Sequence, residues 1–245
     1  MTRIVNNCVA LVCLCLFWGQ SLRAADASHS EQIKWGNESV FNEEHNTLGL
    51  FSGVLGGQIV LAGGTSDDYS RWGRNAVCLS ENAGFALYED VLSKPLAYGA
   101  SITLSDGILC IGGRDSSQCY EDVFFVTMQQ GKLNVSEDWP PLPFPLSNAA
   151  GALLDNKVYL FGGRKSVSPS RLSDSFFVLD LSNKSRGWKE LPGYPGCVRE
   201  DAILVVQNNG VSPCLYLLGG QTETEEGLSS CLTDGYVYNP QLGKW

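Results

Sequence analysis

The chain has 245 residues, 44% hydrophobic and 18% charged, enough apolar material for a core of its own. A formal net charge of −9 argues against nucleic acid or an anionic membrane surface as the main partner. It leaves room for a small anionic ligand held by local arginines, and 27 Gly with 10 Pro favour many short strands over helices.

In chain order, the first 27 residues read as a secretory signal. Arg3 supplies the positive start, and Cys8–Trp18 is an apolar run of 11, too short to span a bilayer. Ala25-Asp26-Ala27 fits the cleavage pattern, so an exported mature chain in the periplasm or secreted medium is expected, with no membrane attachment after signal removal. Six Cys follow: Cys78, Cys110, Cys119, Cys197, Cys214 and Cys231. Export permits disulfides, but Cys110 and Cys214 sit in strand-like apolar runs and read as buried free thiols. His29 and His45 are the two histidines, which leaves almost no ligands for a metal site, and neither a metal nor another cofactor is expected.

From residue 48 onward one unit recurs four times. A double glycine closes the apolar runs IVLAGG, ILCIGG, VYLFGG and LYLLGG at Gly64, Gly113, Gly163 and Gly220, at intervals of 49, 50 and 57 residues. Trp139, Trp188 and Trp245 follow the last three pairs by 26, 25 and 25 residues, and Tyr88 follows the first by 24. Between them lie aromatic strands: Asp122–Thr127, Asp174–Asp180 and Asp234–Pro240. A further strand and turn precede each pair, with Ser105-Asp106-Gly107, Asp155-Asn156 and Asn208-Asn209-Gly210 expected to supply the positive φ of tight hairpins. Four antiparallel strands per unit, at a period of ~50 residues, are the mark of a kelch-type β-propeller. The fold class is therefore all-β, with blades near 48–95, 96–145, 146–195 and 196–245. The double glycines are expected where backbones approach closely. Trp35 stands 29 residues before Gly64, where the outer strand of another blade (residues 33–47) would lie. That phase reads as about four of six blades, a fragment.

The segments GLFSGVLGGQIVLAGG, PLAYGASITLSDGILCIGG, WPPLPFPLSNAAGALLDNKVYLFGG and WKELPGYPGCVRED resemble the bacterial sialic acid mutarotases (N-acetylneuraminate epimerases), in their circularly permuted branch. The resemblance covers about residues 33–245. It implies a six-bladed propeller that interconverts the anomers of N-acetylneuraminate in the periplasm, with a small sugar acid as partner.

Such chemistry takes a proton from the anomeric hydroxyl and delivers one to the ring oxygen. A substrate carboxylate calls for a planar bidentate donor, hence Arg. Kelch geometry puts Arg114 and Arg164, each after a double glycine, on one rim with Arg199, which also matches the family element. Asp115, Glu200 and Asp201 lie beside them, and Tyr98 and Asn148 open two inner strands. Arg114, Arg164, Arg199, Tyr98 and Asn148 are thus candidate substrate-binding residues, and Glu200 is the candidate catalytic group. The resemblance places the family's own catalytic element in blades beyond this sequence, with Arg114 standing where a Glu would follow the second double glycine. Two other readings remain: a copper-radical oxidase, which needs two His near the metal, and a non-catalytic propeller that binds carbohydrate or protein.

Overall fold

The computed structural model describes residues 48–80, 84–224 and 226–245, all within one compact unit. The expected signal, Trp35 and segment 33–47 lie outside the described residues.

Almost every regular element is a strand. Blade I pairs Phe51–Leu55, Gln58–Ala62, Ala76–Ser80 and Gly84–Tyr88 in sequence order. Blade II does the same with Ala100–Thr103, Ile108–Ile111, Val123–Gln129 and Lys132–Ser136, and blade III with Ala150–Leu154, Lys157–Phe161, Phe176–Asp180 and Lys189–Glu190. Blade IV pairs Ile203–Asn208, Pro213–Leu218 and Gly235–Tyr238. Every pairing is antiparallel, so this is the four-blade kelch arrangement. Two small hairpins, Arg164–Ser166 with Arg171–Leu172 and Gln221–Glu223 with Ser229–Cys231, follow the third and fourth double glycines. One short 3-10 segment, Leu181–Arg186, is capped by Asp180, whose carboxylate accepts from the Ser182 N–H at 2.9 Å.

The hairpin turns differ in one case from expectation. Asp155 and Asn156 do take positive φ, at 52° and 34°, and Gly210 at 94°. None of Ser105, Asp106 and Gly107 does. Gly107 is required for space instead, because a Cβ there would stand 2.3 Å from the Phe125 ring.

The core lies between the blades in three apolar clusters. Phe51, Val60, Ile108 and Phe124 join blades I and II, while Leu109, Val123, Leu160 and Phe177 join II and III. Phe161, Phe176, Leu215 and Tyr238 join III and IV. Trp139, Trp188 and Trp245 sit against these seams rather than within the outer strands. Trp188 donates its indole N–H to the Pro140 carbonyl at 3.0 Å, and Trp245 donates to the Pro192 carbonyl at 3.2 Å. Each thereby ties one blade to the loop behind the previous one.

The double glycines answer two different close approaches. At the first glycine of a pair, the next blade's backbone arrives. A Cβ on Gly63, Gly112 or Gly162 would stand 2.2, 2.2 or 2.5 Å from the carbonyl oxygen of Leu96, Leu146 or Arg199. At the second, the blade's own entering chain arrives, since a Cβ on Gly163 would meet the Ser147 carbonyl at 2.4 Å. Side chains are excluded at both places, and all these glycines hold positive φ. Cys78, Cys110, Cys119 and Cys214 are buried and free, and Cys197 and Cys231 are exposed and free.

Candidate functional site

Each blade places two residues side by side where its inner strand begins, and this row of strand entries is the mouth of the propeller. One is the residue that precedes the inner strand: Gly49, Tyr98, Asn148 and Asp201 in blades I to IV. The other follows the double glycine: Thr65, Arg114, Arg164 and Gln221. Antiparallel bridges hold the second set against the residue just before each member of the first, pairing Leu48 with Thr65, Ala97 with Arg114, Ser147 with Arg164 and Glu200 with Gln221.

The first set forms a hydrogen-bonded backbone arc. Tyr98 donates its N–H to the Gly49 carbonyl at 2.7 Å, Asn148 to Tyr98 at 2.6 Å, and Asp201 to Asn148 at 3.0 Å. All four residues are left-handed, with φ of 65°, 60°, 54° and 53° in order. For glycine this costs nothing, and Asn and Asp tolerate it. Tyr does not, and a non-glycine residue held there is a mark of a site that needs its side chain.

Tyr98 is held by its surroundings. Its ring lies over Gly49, where a Cβ would stand 2.9 Å away, and it stacks on Tyr69 at 6.5 Å between centroids. Trp72 lies at 6.3 Å. Above these three rings sits Arg114, whose guanidinium carbon is 4.7 Å from Tyr98, 5.2 Å from Trp72 and 6.0 Å from Tyr69. Burial pushes the Tyr98 hydroxyl's pKa up, its hydrogen bond with Tyr69 pushes the same way, and Arg114 opposes them.

Asp115 does not pair with Arg114 through its carboxylate. It caps its own turn, accepting from Ser117 N–H at 2.7 Å, Gln118 N–H at 2.9 Å and the Tyr120 hydroxyl at 2.6 Å. Burial works to raise its pKa, but these bonds outweigh it and hold the group at about 2.

Arg164 is neutralised. Its Nε donates to Glu200 Oε2 at 2.8 Å and Nη2 to Glu200 Oε1, with Glu223 at 3.1 Å from Nη2. The exposed carboxylate of the mouth is Asp201. Asn148 Nδ2 donates to its Oδ1 at 2.9 Å and Gln221 Nε2 to its Oδ2 at 2.7 Å, which fixes its plane, and each oxygen keeps acceptor capacity on an exposed side chain.

Residues 139–245 match the family described as N-acetylneuraminate epimerase. Over that stretch the chain is similar to the N-acetylneuraminate epimerases. It is 30% identical over 112 residues to the N-acetylneuraminate epimerase of Yersinia pestis (strain Pestoides F), covering 45% of this chain and 26% of that protein. To the N-acetylneuraminate epimerase of Haemophilus influenzae (strain PittEE) it is 31% identical over 110 residues, again 45% and 26%. A kelch domain-containing protein of Vibrio cholerae is 32% identical over 107 residues, covering 43% of this chain and 27% of that one. The chain thus spans about a quarter of the length of these epimerases in the matched stretch. The solved structure of YjhT superimposes with a TM-score of 0.60 at 14% identity, over 78% of this chain and 68% of that one, a likeness of fold.

Two expectations change with the geometry. Arg199 was expected to join Arg114 and Arg164 in one cavity. Its carbonyl accepts from Gly163 N–H at 2.8 Å, as those of Leu96 and Leu146 accept from Gly64 and Gly113. It therefore occupies the core leucine position of its repeat, has 0% exposure, and points into blade IV to pair with Asp234. The mouth residue equivalent to Arg114 and Arg164 is Gln221.

Glu200 was expected as a catalytic group. It is 6% exposed, and both of its oxygens are taken by Arg164. Its neighbour Asp201 has the accessible carboxylate. Tyr98 and Arg114 are in contact, Asn148 is bonded to the Tyr98 backbone, and Arg164 is turned to Glu200 and Glu223; Tyr69, Trp72, Asp201 and Gln221 stand beside them.

Proposed function

We propose that this chain is part of an exported mutarotase that interconverts the anomers of N-acetylneuraminate. The observation that carries the reading is the match of residues 139–245 to the N-acetylneuraminate epimerase family, the stretch that holds Asn148, Arg164, Asp201 and Gln221. The mouth has the chemistry the reaction asks for. Ring opening transfers the anomeric hydroxyl proton to a base while the ring oxygen gains one. Asp201, oriented by two amide donors, is positioned as the proton acceptor. The conjugate acid or a water returns a proton to the ring oxygen, and closure on the other face of the carbonyl yields the second anomer. Arg114, set on an aromatic bed, supplies positive charge for the substrate carboxylate.

Anomer-resolved proton NMR tests this directly. Exchange between the α and β forms of N-acetylneuraminate should accelerate in proportion to added protein. Exchange no faster than in buffer, at protein concentrations that bind the sugar, would leave the second reading: a propeller that binds carbohydrate without turnover.

A further inference from the structure

Two buried polar atoms among the described residues have no hydrogen-bond partner: Arg114 Nε and Asn148 Oδ1. Buried polar groups are paired in the great majority of cases, so each orphan calls for an explanation. Both belong to the mouth, and they flank one residue. Arg114 lies over the Tyr98 ring, and Asn148 is bonded to the Tyr98 carbonyl. One is a charged donor and the other an acceptor.

We propose that Arg114 Nε and Asn148 Oδ1 are the two halves of a ligand subsite, which takes an anionic oxygen at Arg114 and a neutral N–H or O–H donor at Asn148. The proposal deepens the sugar-acid reading above and rests on it for the class of ligand.

The neighbours make this assignment specific. No carboxylate pairs with Arg114 among the described residues. Among the described residues, its guanidinium makes one hydrogen bond, a long 3.5 Å contact from Nη1 to the Asp115 carbonyl. The Asp115 carboxylate is committed to its own turn, and Glu200 and Glu223 are committed to Arg164. The three aromatic rings under Arg114 fix the plane of its guanidinium without satisfying its N–H groups. Asn148 is fixed as well, because Nδ2 donates to Asp201 and the amide oxygen must then face away from that carboxylate. An acceptor cannot satisfy Asn148 Oδ1, so a bare anion would fill half of the subsite. A sugar acid carrying a hydroxyl or acylamino donor fills both halves, and its apolar face can lie on Tyr98 and the half-exposed Tyr69.

Calorimetric titration of the full chain with N-acetylneuraminate, with its methyl ester and with the neutral N-acetylmannosamine separates the two halves. The acid should bind more tightly than the ester. Arg114→Gln should weaken the acid by roughly ten- to a hundredfold while barely changing the ester. Arg114→Lys keeps the charge and guards against a folding defect; it should recover part of the loss, since it lacks the planar fork. Asn148→Gly suits the left-handed backbone and should weaken acid and ester alike. Equal affinity for acid and ester, or an Arg114→Gln protein that binds the acid as the parent does, would overturn the subsite. So would an absence of binding to all three sugars. Because the readout is affinity, the two ideas fail separately. Arg114-dependent binding without anomer exchange removes the mutarotase and keeps the subsite. Exchange with affinity unchanged in Arg114→Gln does the reverse.

Discussion

Arg199 and Asp234 form a bidentate ion pair inside blade IV, with Nη1–Oδ1 at 2.7 Å and Nη2–Oδ2 at 2.9 Å. The guanidinium also donates to the Gly219 carbonyl at 2.8 Å and to the Tyr194 hydroxyl at 3.0 Å, and its carbon lies 5.2 and 5.4 Å from the Tyr194 and Tyr236 ring centroids. A charge thus fills a place that leucine fills in the two preceding blades, and it does so with its donors met. Asp234 stays 40% exposed, so water shares the cost of its charge.

Arg199→Ala should destabilise the chain by about 2–4 kcal/mol, because it opens a cavity and strips a tyrosine hydroxyl, a carbonyl and a carboxylate of their donor. Arg199→Leu should cost less, since leucine occupies the equivalent place twice. Urea denaturation measures both. Equal losses would show that the site does not behave as a leucine position.

Asp201→Asn should slow anomer exchange by about 10²- to 10⁴-fold with the fold intact, the usual range for loss of a proton acceptor. Glu200→Gln should instead lower stability, because it frees Arg164 from half of its neutralisation. NMR exchange rates and thermal melts on the two variants distinguish these roles. Loss of exchange in Glu200→Gln with normal rates in Asp201→Asn would reverse the assignment.

The Asp115 carboxyl is depressed from its ordinary 3.8 to about 2. A depressed carboxylate stabilises the folded state above its unfolded pKa, and that stability disappears as pH falls through the folded value. The contribution of Asp115 should therefore be complete above about pH 4 and lost toward pH 2. Asp115→Asn should be less stable than the parent at neutral pH, with the difference closing over that window in acid denaturation curves.

Gly112→Ala places a methyl 2.2 Å from the Leu146 carbonyl oxygen at φ 62°, whereas Gly56→Ala meets nothing within 4 Å at φ 56°. Left-handed backbone alone costs roughly 1–2 kcal/mol. The first variant should exceed that by at least ~2 kcal/mol from the clash, and the second should not. Paired denaturation curves would show whether glycine serves for space or for φ at each position.

The repeating strands were legible because the spacing of double glycines and aromatics is local and nearly regular. The mouth was half legible. Arg114 and Arg164 follow a double glycine, and Tyr98 and Asn148 open strands, so the repeat itself places them. Arg199 is not legible in the same way: as a loop residue entering an inner strand it reads as a rim residue, whereas its place is that of Leu96 and Leu146, and its partner Asp234 is 35 residues away. Applying the same repeat alignment to blade IV would have picked out Gln221 and Asp201. Tyr69 and Trp72 lie in the loop after the first double glycine, where nothing in the repeat marks them, and their role emerges only when Arg114 folds onto them.

The left-handed arc also divides the labour of change among the strand entries. At Gly49, Tyr98, Asn148 and Asp201 the backbone admits few residue types without strain, so these positions can drift among glycine, asparagine and aspartate but hardly beyond. Tyr98 is tolerated because the rings beside it hold it in place. Thr65, Arg114, Arg164 and Gln221 hold no such φ and accept any side chain of suitable size. New ligand preferences in propellers built this way should therefore accumulate at the residue after each double glycine, while the arc beneath supplies a narrow and stable set of polar groups.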